Sequence, residues 1–131
     1  MVAYNFAAQF AGSVESGEKQ QTIRKRGKRQ PPVVGAQLQL YTGMRTRSCR
    51  LLKRVTCISV LEIEIRPAFG EVVLQMDPGS PQRMILDSTE SLQKLAAVDG
   101  FSSIESFFDY FEGQAETDAK DFCGHLIRWE G

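Results

Sequence analysis

The chain of 131 residues contains few of the side chains that build disulfide-stabilised or metal-dependent proteins. It has three cysteines, Cys49, Cys57 and Cys123, without a C-x-x-C spacing, and one histidine, His125. A zinc site would require most of these scattered side chains to converge, so the sequence predicts neither a structural metal nor a disulfide framework. We expect reduced cysteines, as in a cytoplasmic protein.

Long hydrophobic segments are also missing. Apolar residues make up 42% of the composition, but no apolar run approaches the roughly 18 residues that cross a bilayer. The first residues do not combine a basic segment with an apolar one, which is the pattern of a secretory signal. We therefore expect one cytoplasmic domain covering residues 1–131, with no membrane partner.

The common catalytic signatures do not occur either. There is no glycine-rich phosphate loop, no Ser-His-Asp order and no paired-carboxylate motif, so the sequence predicts no cofactor. His125 has no carboxylate or cysteine partner near it in sequence, and its place in a closing strand predicts a partly buried structural histidine.

Acidic residues are absent from more than a quarter of the chain. Eleven Lys or Arg and no Asp or Glu lie between Lys19 and Arg54, whereas fourteen acidic and five basic residues follow from Val55 onwards. The zero net charge thus hides two opposed halves, and the basic half favours a polyanion such as nucleic acid. The alternatives are a merely solvated basic face, or an acidic half that binds a basic protein. The predicted nucleic-acid contacts are Arg24, Arg26, Lys28, Arg29 and Arg45, with Tyr41 as a base-stacking candidate.

Hydrophobic periodicity predicts many short strands and a few helices. Together they indicate an α+β fold, specifically a small barrel with flanking helices. Capping boxes beginning at Asp87 and Ser102 are predicted to start the second and third helices, and a turn is predicted at 77–81. The predicted strands are 2–6, 20–24, 36–42, 49–65, 71–76, 83–86 and 122–129, and the helices are 7–15, 87–98 and 102–111.

Lys19 and Thr22 follow a glycine turn and introduce the basic segment. A threonine hydroxyl is a weak nucleophile unless a base takes its proton, and a lysine can do so only when its pKa is depressed. The neighbouring cations would push the Lys19 pKa in that direction. Strand alternation places Thr22 and Arg24 on one face, towards a cleft or solvent, and Ile23 on the other. Because lysine and threonine near a glycine are common, the spacing alone does not favour catalysis over a structural role.

The segment Ser16–Arg24, reading SGEKQQTIR, resembles the signature of the ASCH family, the activating-signal-cointegrator homology domains. Residues 35–40, 99–101 and 122–129 resemble further ASCH segments in the same order, and 42–46 resembles a phage and bacterial subgroup. The resemblance covers nearly the whole chain. It implies the PUA-like superfold, a small β-barrel with flanking helices.

The resemblance also implies functions. ASCH domains are associated with RNA binding; one bacterial branch hydrolyses the acetyl amide of 4-acetylcytidine, and a ribonuclease occurs in another. The amidohydrolase pattern implies Lys19 as base and Thr22 as nucleophile, and its glutamate falls at Asp99. Aspartate is one methylene shorter, and a misplacement of about 1 Å can cost on the order of a hundredfold in rate. We therefore expect RNA binding first, with amidohydrolase or ribonuclease activity as the alternative.

Overall fold

The computed structural model describes residues 2–75, 82–115 and 121–131. Within these ranges it contains seven strands and three α-helices, which confirms the predicted α+β class. The turn predicted at 77–81 lies outside the described residues. In chain order the elements are β1 Val2–Phe6, α1 Ala8–Ser16, β2 Gln21–Lys25, β3 Gln37–Thr42, β4 Arg50–Arg66, β5 Glu71–Gln75, β6 Arg83–Leu86, α2 Thr89–Val98, α3 Ile104–Glu112 and β7 Phe122–Glu130.

The long strand β4 organises the sheet. Strand β3 pairs antiparallel with residues 50–56 of β4, and β5 pairs with residues 63–66. Strand β7 pairs antiparallel with residues 56–65 along the opposite edge. The sheet is extended by β1, which is parallel to β3, by β6 beside β5, and by β2 beside β7.

The closed barrel expected from the sequence is not found in the described residues. Strands β1, β2 and β6 each pair with one neighbouring strand there, so the sheet is open. The alternation of side chains predicts where strands lie, but it does not specify which edge strands meet. Closure depends on those long-range pairings and on a consistent stagger of register around the ring.

Two hydrophobic clusters bury the two faces of the sheet. A β-bulge between Cys57 and Ser59 changes the alternation along β4, so that Cys57 belongs to the first cluster and Ile63 to the second. Helix α1 covers the first cluster, whereas α2 and α3 cover the second. Phe101 packs against both clusters, and the candidate site lies beside it.

The second and third helices begin one residue later than predicted. The hydroxyl oxygens of Ser88 and Ser103, not the side chains of Asp87 and Ser102, accept the backbone N–H three residues on, at 3.1 Å in each case. Asp and Ser are both good N-cap residues, so the residue types alone do not decide which of two neighbouring positions caps each helix.

The three helices are short, with nine or ten residues each. Helix α1 ends as predicted at Gly17, whose φ of 89° lies in the left-handed region that glycine tolerates. The tight exit brings the backbone N–H of Lys19 to 2.9 Å from the Ser13 carbonyl oxygen, and this fixes Lys19 directly after the helix. None of the helices in the described ranges has the length and apolar character needed to cross a membrane.

Candidate functional site

A small cavity of about 90 Å³ lies where α1 leads into β2 and α2 ends. The exit of α1 supplies Lys19, strand β2 supplies Thr22 and Arg24, and the C-terminal end of α2 supplies Asp99. The fold thus brings together side chains that are far apart in sequence. The wall also includes Asn5, Phe6, Phe10, Phe101, Tyr110 and Gln114.

Lys19 and Asp99 form a buried ion pair in this cavity. The Lys19 Nζ donates to the backbone carbonyl of Asp99 at 2.6 Å and to its Oδ1 at 3.2 Å. Each residue is 3% exposed. The ammonium also lies 5.1 Å from the ring centroid of Phe10 and 6.0 Å from that of Phe6. The shorter aspartate therefore does reach the lysine.

Burial shifts both members of this pair towards their neutral forms. It lowers the pKa of Lys19, an effect that the Asp99 carboxylate opposes, and it raises the pKa of Asp99, an effect that Lys19 opposes. A neutral amine has two N–H groups and one lone pair. A lowered pKa increases the fraction of neutral Lys19, which is the form whose lone pair can accept a proton.

Arg24 holds the hydroxyl of Thr22. The Arg24 Nε donates to Thr22 Oγ1 at 3.0 Å, and its Nη2 donates to the Asn5 backbone carbonyl at 2.8 Å. The guanidinium carbon lies 4.8 Å from the ring centroid of Phe6 and 5.0 Å from that of Tyr4. Because Oγ1 accepts a hydrogen bond from a cation, the hydroxyl proton of Thr22 can be given to a base.

Gln21 belongs to this network, although the sequence analysis did not single it out. Its Nε2 donates to Asp99 Oδ1 at 3.2 Å, and the residue is 1% exposed. Its Oε1 has no hydrogen-bond partner within the described part of the chain. The overlooked signal is its strand position: Gln21 shares the inward face with Ile23, where a polar side chain must find a buried partner.

A second cavity of about 140 Å³ lies beside the first one. Its lining overlaps with that of the first cavity at Arg24 and Lys25. The Arg29 guanidinium carbon lies over Tyr4, 5.0 Å from the ring centroid. The predicted contacts Arg24, Lys28 and Arg29 are thus brought to one cavity.

The remaining predicted contacts, Tyr41, Arg45 and Arg26, do not line either of these two cavities. Tyr41 is half-buried on β3, and its hydroxyl donates to Gln39 Oε1 at 3.1 Å. Arg45 is exposed in a turn, with a φ of 66°. The preceding residue, Met44, donates its backbone N–H to Asn5 Oδ1 at 3.0 Å, which attaches this turn to the rim of the first cavity.

Arg26 and His125 both lie close to Glu62. Arg26 Nη2 forms an exposed ion pair with Glu62 Oε1 at 3.3 Å. His125 is half-buried opposite Glu62 in the β4–β7 register and opposite Arg24 in the β2–β7 register. Burial and the neighbouring Arg26 lower the His125 pKa, while Glu62 opposes them.

The described residues contain no group of three or more His, Cys, Asp or Glu side chains arranged to hold a metal ion. The three cysteines are free thiols: Cys57 is buried, and Cys49 and Cys123 are exposed. The two cavities are lined by lysine, arginine, threonine, aspartate, histidine and aromatic side chains, among others.

Two solved structures of ASCH from Zymomonas mobilis, one of them a serine-to-alanine mutant, align with 98% of this chain at TM-scores of 0.55 and 0.54. The chain has the ASCH fold. The sequence identity is 16%, and the chain spans 66% of the length of each of these structures. No protein-family model and no curated protein matches it. The ASCH fold expected from residues 16–24 is confirmed, whereas membership of the phage and bacterial subgroup stays a prediction.

Proposed function

We propose that this ASCH-fold chain binds single-stranded RNA, with the strand along the second cavity and one base at the first. The observation that carries the proposal is the shared wall: Arg24 and Lys25 line both cavities. A nucleotide has the matching two parts, a base and a charged phosphate. Single-stranded RNA is commonly bound by a positively charged groove together with stacking side chains.

The charges of the groove support this proposal. Arg26 forms an ion pair with Glu62, whereas none of Arg24, Lys28, Arg29 and Arg45 forms an ion pair with a carboxylate of the described residues. Arg24, Lys28 and Arg29 line the second cavity, whereas Arg45 lies on the turn that Met44 attaches to the rim of the first. Cations grouped in this way attract a phosphate backbone and accelerate its association. We therefore count four available phosphate contacts.

The affinity for a single-stranded oligoribonucleotide should fall steeply with salt. Four phosphate contacts predict a slope of roughly −2.8 for log K against log salt, because each contact on a single strand contributes about −0.7. Fluorescence anisotropy over a salt series measures this slope. The control is Lys94→Gln, a change on the exposed face of α2, which should leave the slope unchanged. A flat salt dependence of the native chain contradicts the proposal.

A second candidate function is hydrolysis of the acyl amide of an acylated cytidine. It rests on the buried Lys19–Asp99 pair, which lines the same cavity as Thr22. Thr22 Oγ1 would bond to the acyl carbon while its proton passes to Lys19. The carbon–nitrogen bond would then break, and the leaving nitrogen would take that proton. Water would release the acid from Thr22 by the same transfers, and Arg24 would keep its hydrogen bond to the oxygen.

Replacing the hydroxyl tests this second function. Thr22→Ala should abolish acetate release from 4-acetylcytidine and leave the fold intact, because it removes the nucleophile and only one hydrogen bond from Arg24. Chromatography of released acetate measures the turnover, with Thr22→Ser as the control that retains a hydroxyl. Unchanged turnover in Thr22→Ala would exclude Thr22 as the nucleophile. Cleavage of an RNA polymer without acetate release would identify a ribonuclease instead.

A further inference from the structure

The second cavity has the composition of an anion site. None of the residues that line it is acidic, whereas four are Lys or Arg and one is the half-buried His125. Its remaining wall is formed by Tyr4, Gly27, Gln30, Pro31 and Ile127. One carboxylate, that of Glu62, lies beside His125 as its cross-strand partner, and it is already paired with Arg26.

The guanidinium groups of Arg24 and Arg29 both pack against the aromatic ring of Tyr4 in this cavity. Arg24 and Arg29 each lie 5.0 Å from the ring centroid of Tyr4. Their like charges repel, and Arg29 contributes, after burial, to lowering the pKa of Arg24. An anion bound by both groups would remove this repulsion.

Arg24 is also oriented for an anion. A guanidinium has five N–H donors, and the hydrogen bonds to Thr22 and Asn5 use two of them. The remaining three have no hydrogen-bond partner within the described ranges. Since these two hydrogen bonds already hold the guanidinium in place, its remaining N–H donors can bind two phosphate oxygens with little loss of side-chain entropy.

We infer that the second cavity is a phosphate subsite for the nucleotide whose base lies at the first cavity. This inference rests on the proposed function. It narrows the class of ligand, because the ligand must then carry a phosphate ester and cannot be a free nucleoside. Arg24 and Arg29 bind the phosphate oxygens, Lys28 neutralises the charge, and His125 faces the same group.

The single histidine of the chain reports on this subsite directly. Its imidazole proton signals can be followed by NMR over a pH series without and with cytidine, cytidine monophosphate, a cytidine dinucleotide or inorganic phosphate. A phosphate close to the ring should raise the His125 pKa by about one unit. We expect this rise with the monophosphate and not with cytidine. Comparing the dinucleotide with the monophosphate shows whether the subsite binds the phosphodiester of an RNA strand or the phosphate monoester of a free nucleotide.

The variant Lys28→Gln/Arg29→Gln provides the matched test, because neither residue touches the Lys19–Asp99 pair or Thr22. It should weaken monophosphate binding about tenfold or more and leave cytidine binding unchanged, whereas Lys94→Gln should change neither. If RNA binds with the expected salt slope but no phosphate compound moves the His125 pKa, the phosphate subsite is wrong and the proposed function stands. If RNA does not bind either, both are wrong.

Discussion

Lys19→Met should lower the free energy of unfolding by about 3–5 kcal/mol, the usual cost of removing one partner from a buried ion pair. The substitution leaves the Asp99 carboxylate buried, with the Nε2 of Gln21 as its hydrogen-bond donor at 3.2 Å. Chemical denaturation near neutral pH measures the loss. Methionine keeps much of the apolar volume of lysine, so the loss reports the missing charge and not an empty space.

The double variant Lys19→Met/Asp99→Leu is the control. It removes both charges, and replacing a buried pair by apolar side chains is often neutral or stabilising. It should therefore recover most of the stability that Lys19→Met loses. A single variant as stable as the native chain, or a double variant that recovers nothing, would show that the pair is not the source of the effect.

The stability lost in Lys19→Met should depend on pH. Burial raises the pKa of Asp99 above its ordinary value of 3.8, and removing Lys19 removes the main influence that opposes this shift. The folded state then holds a proton that the unfolded state has released, so the free energy of unfolding falls as pH rises above that value. The defect should be small at about pH 4 and should grow as the pH rises towards neutrality. A defect independent of pH would contradict this assignment.

Gly124→Ala should destabilise the fold by about 1–3 kcal/mol or more, since it adds a side chain where two strands already touch. A Cβ at this position would overlap the carbonyl oxygen of Arg24, and it would lie 2.9 Å from both the carbonyl carbon of Arg24 and Cε1 of Phe122. Strand β2 would have to move away from β7 and carry Thr22 and Arg24 with it. We therefore expect a lower melting temperature together with weaker RNA binding.

Gly12→Ala is the matched control for this change. Gly12 lies within α1, and a Cβ there meets no atom within 4 Å. Alanine should therefore raise stability by roughly 0.5–1 kcal/mol through helix propensity alone. Thermal unfolding followed by circular dichroism compares both variants. A Gly124→Ala protein that melts at the native temperature would refute the close approach of β2 and β7.

Local patterns predicted the elements of this fold well, because each strand and helix has its own periodicity. The strict alternation of Leu61, Ile63 and Ile65 marks the end of β4, and the Phe107 and Phe111 spacing marks α3. The β-bulge beside Cys57 and the open edge of the sheet were not predictable in this way. Both depend on which strands pair, and that is decided by contacts far apart in sequence.

The candidate site, too, was predictable from the sequence where it is local and not where it depends on long-range contacts. Lys19, Thr22 and Arg24 lie within six residues of one another, and the resemblance of that segment to ASCH proteins drew attention to them. Asp99 was placed by the resemblance alone, because its contact with Lys19 spans 80 residues. The aromatic support of Arg24 and Arg29 by Tyr4 requires the parallel pairing of β1 with β3, which no local pattern contains.

The most direct test of the basic groove is oligoribonucleotide binding by Lys28→Gln/Arg29→Gln, measured beside the native chain over the same salt series. Removing two of four phosphate contacts should change the slope of log K against log salt from roughly −2.8 to roughly −1.4, with weaker binding at every low salt concentration. An unchanged slope and affinity would place the RNA elsewhere and contradict the account.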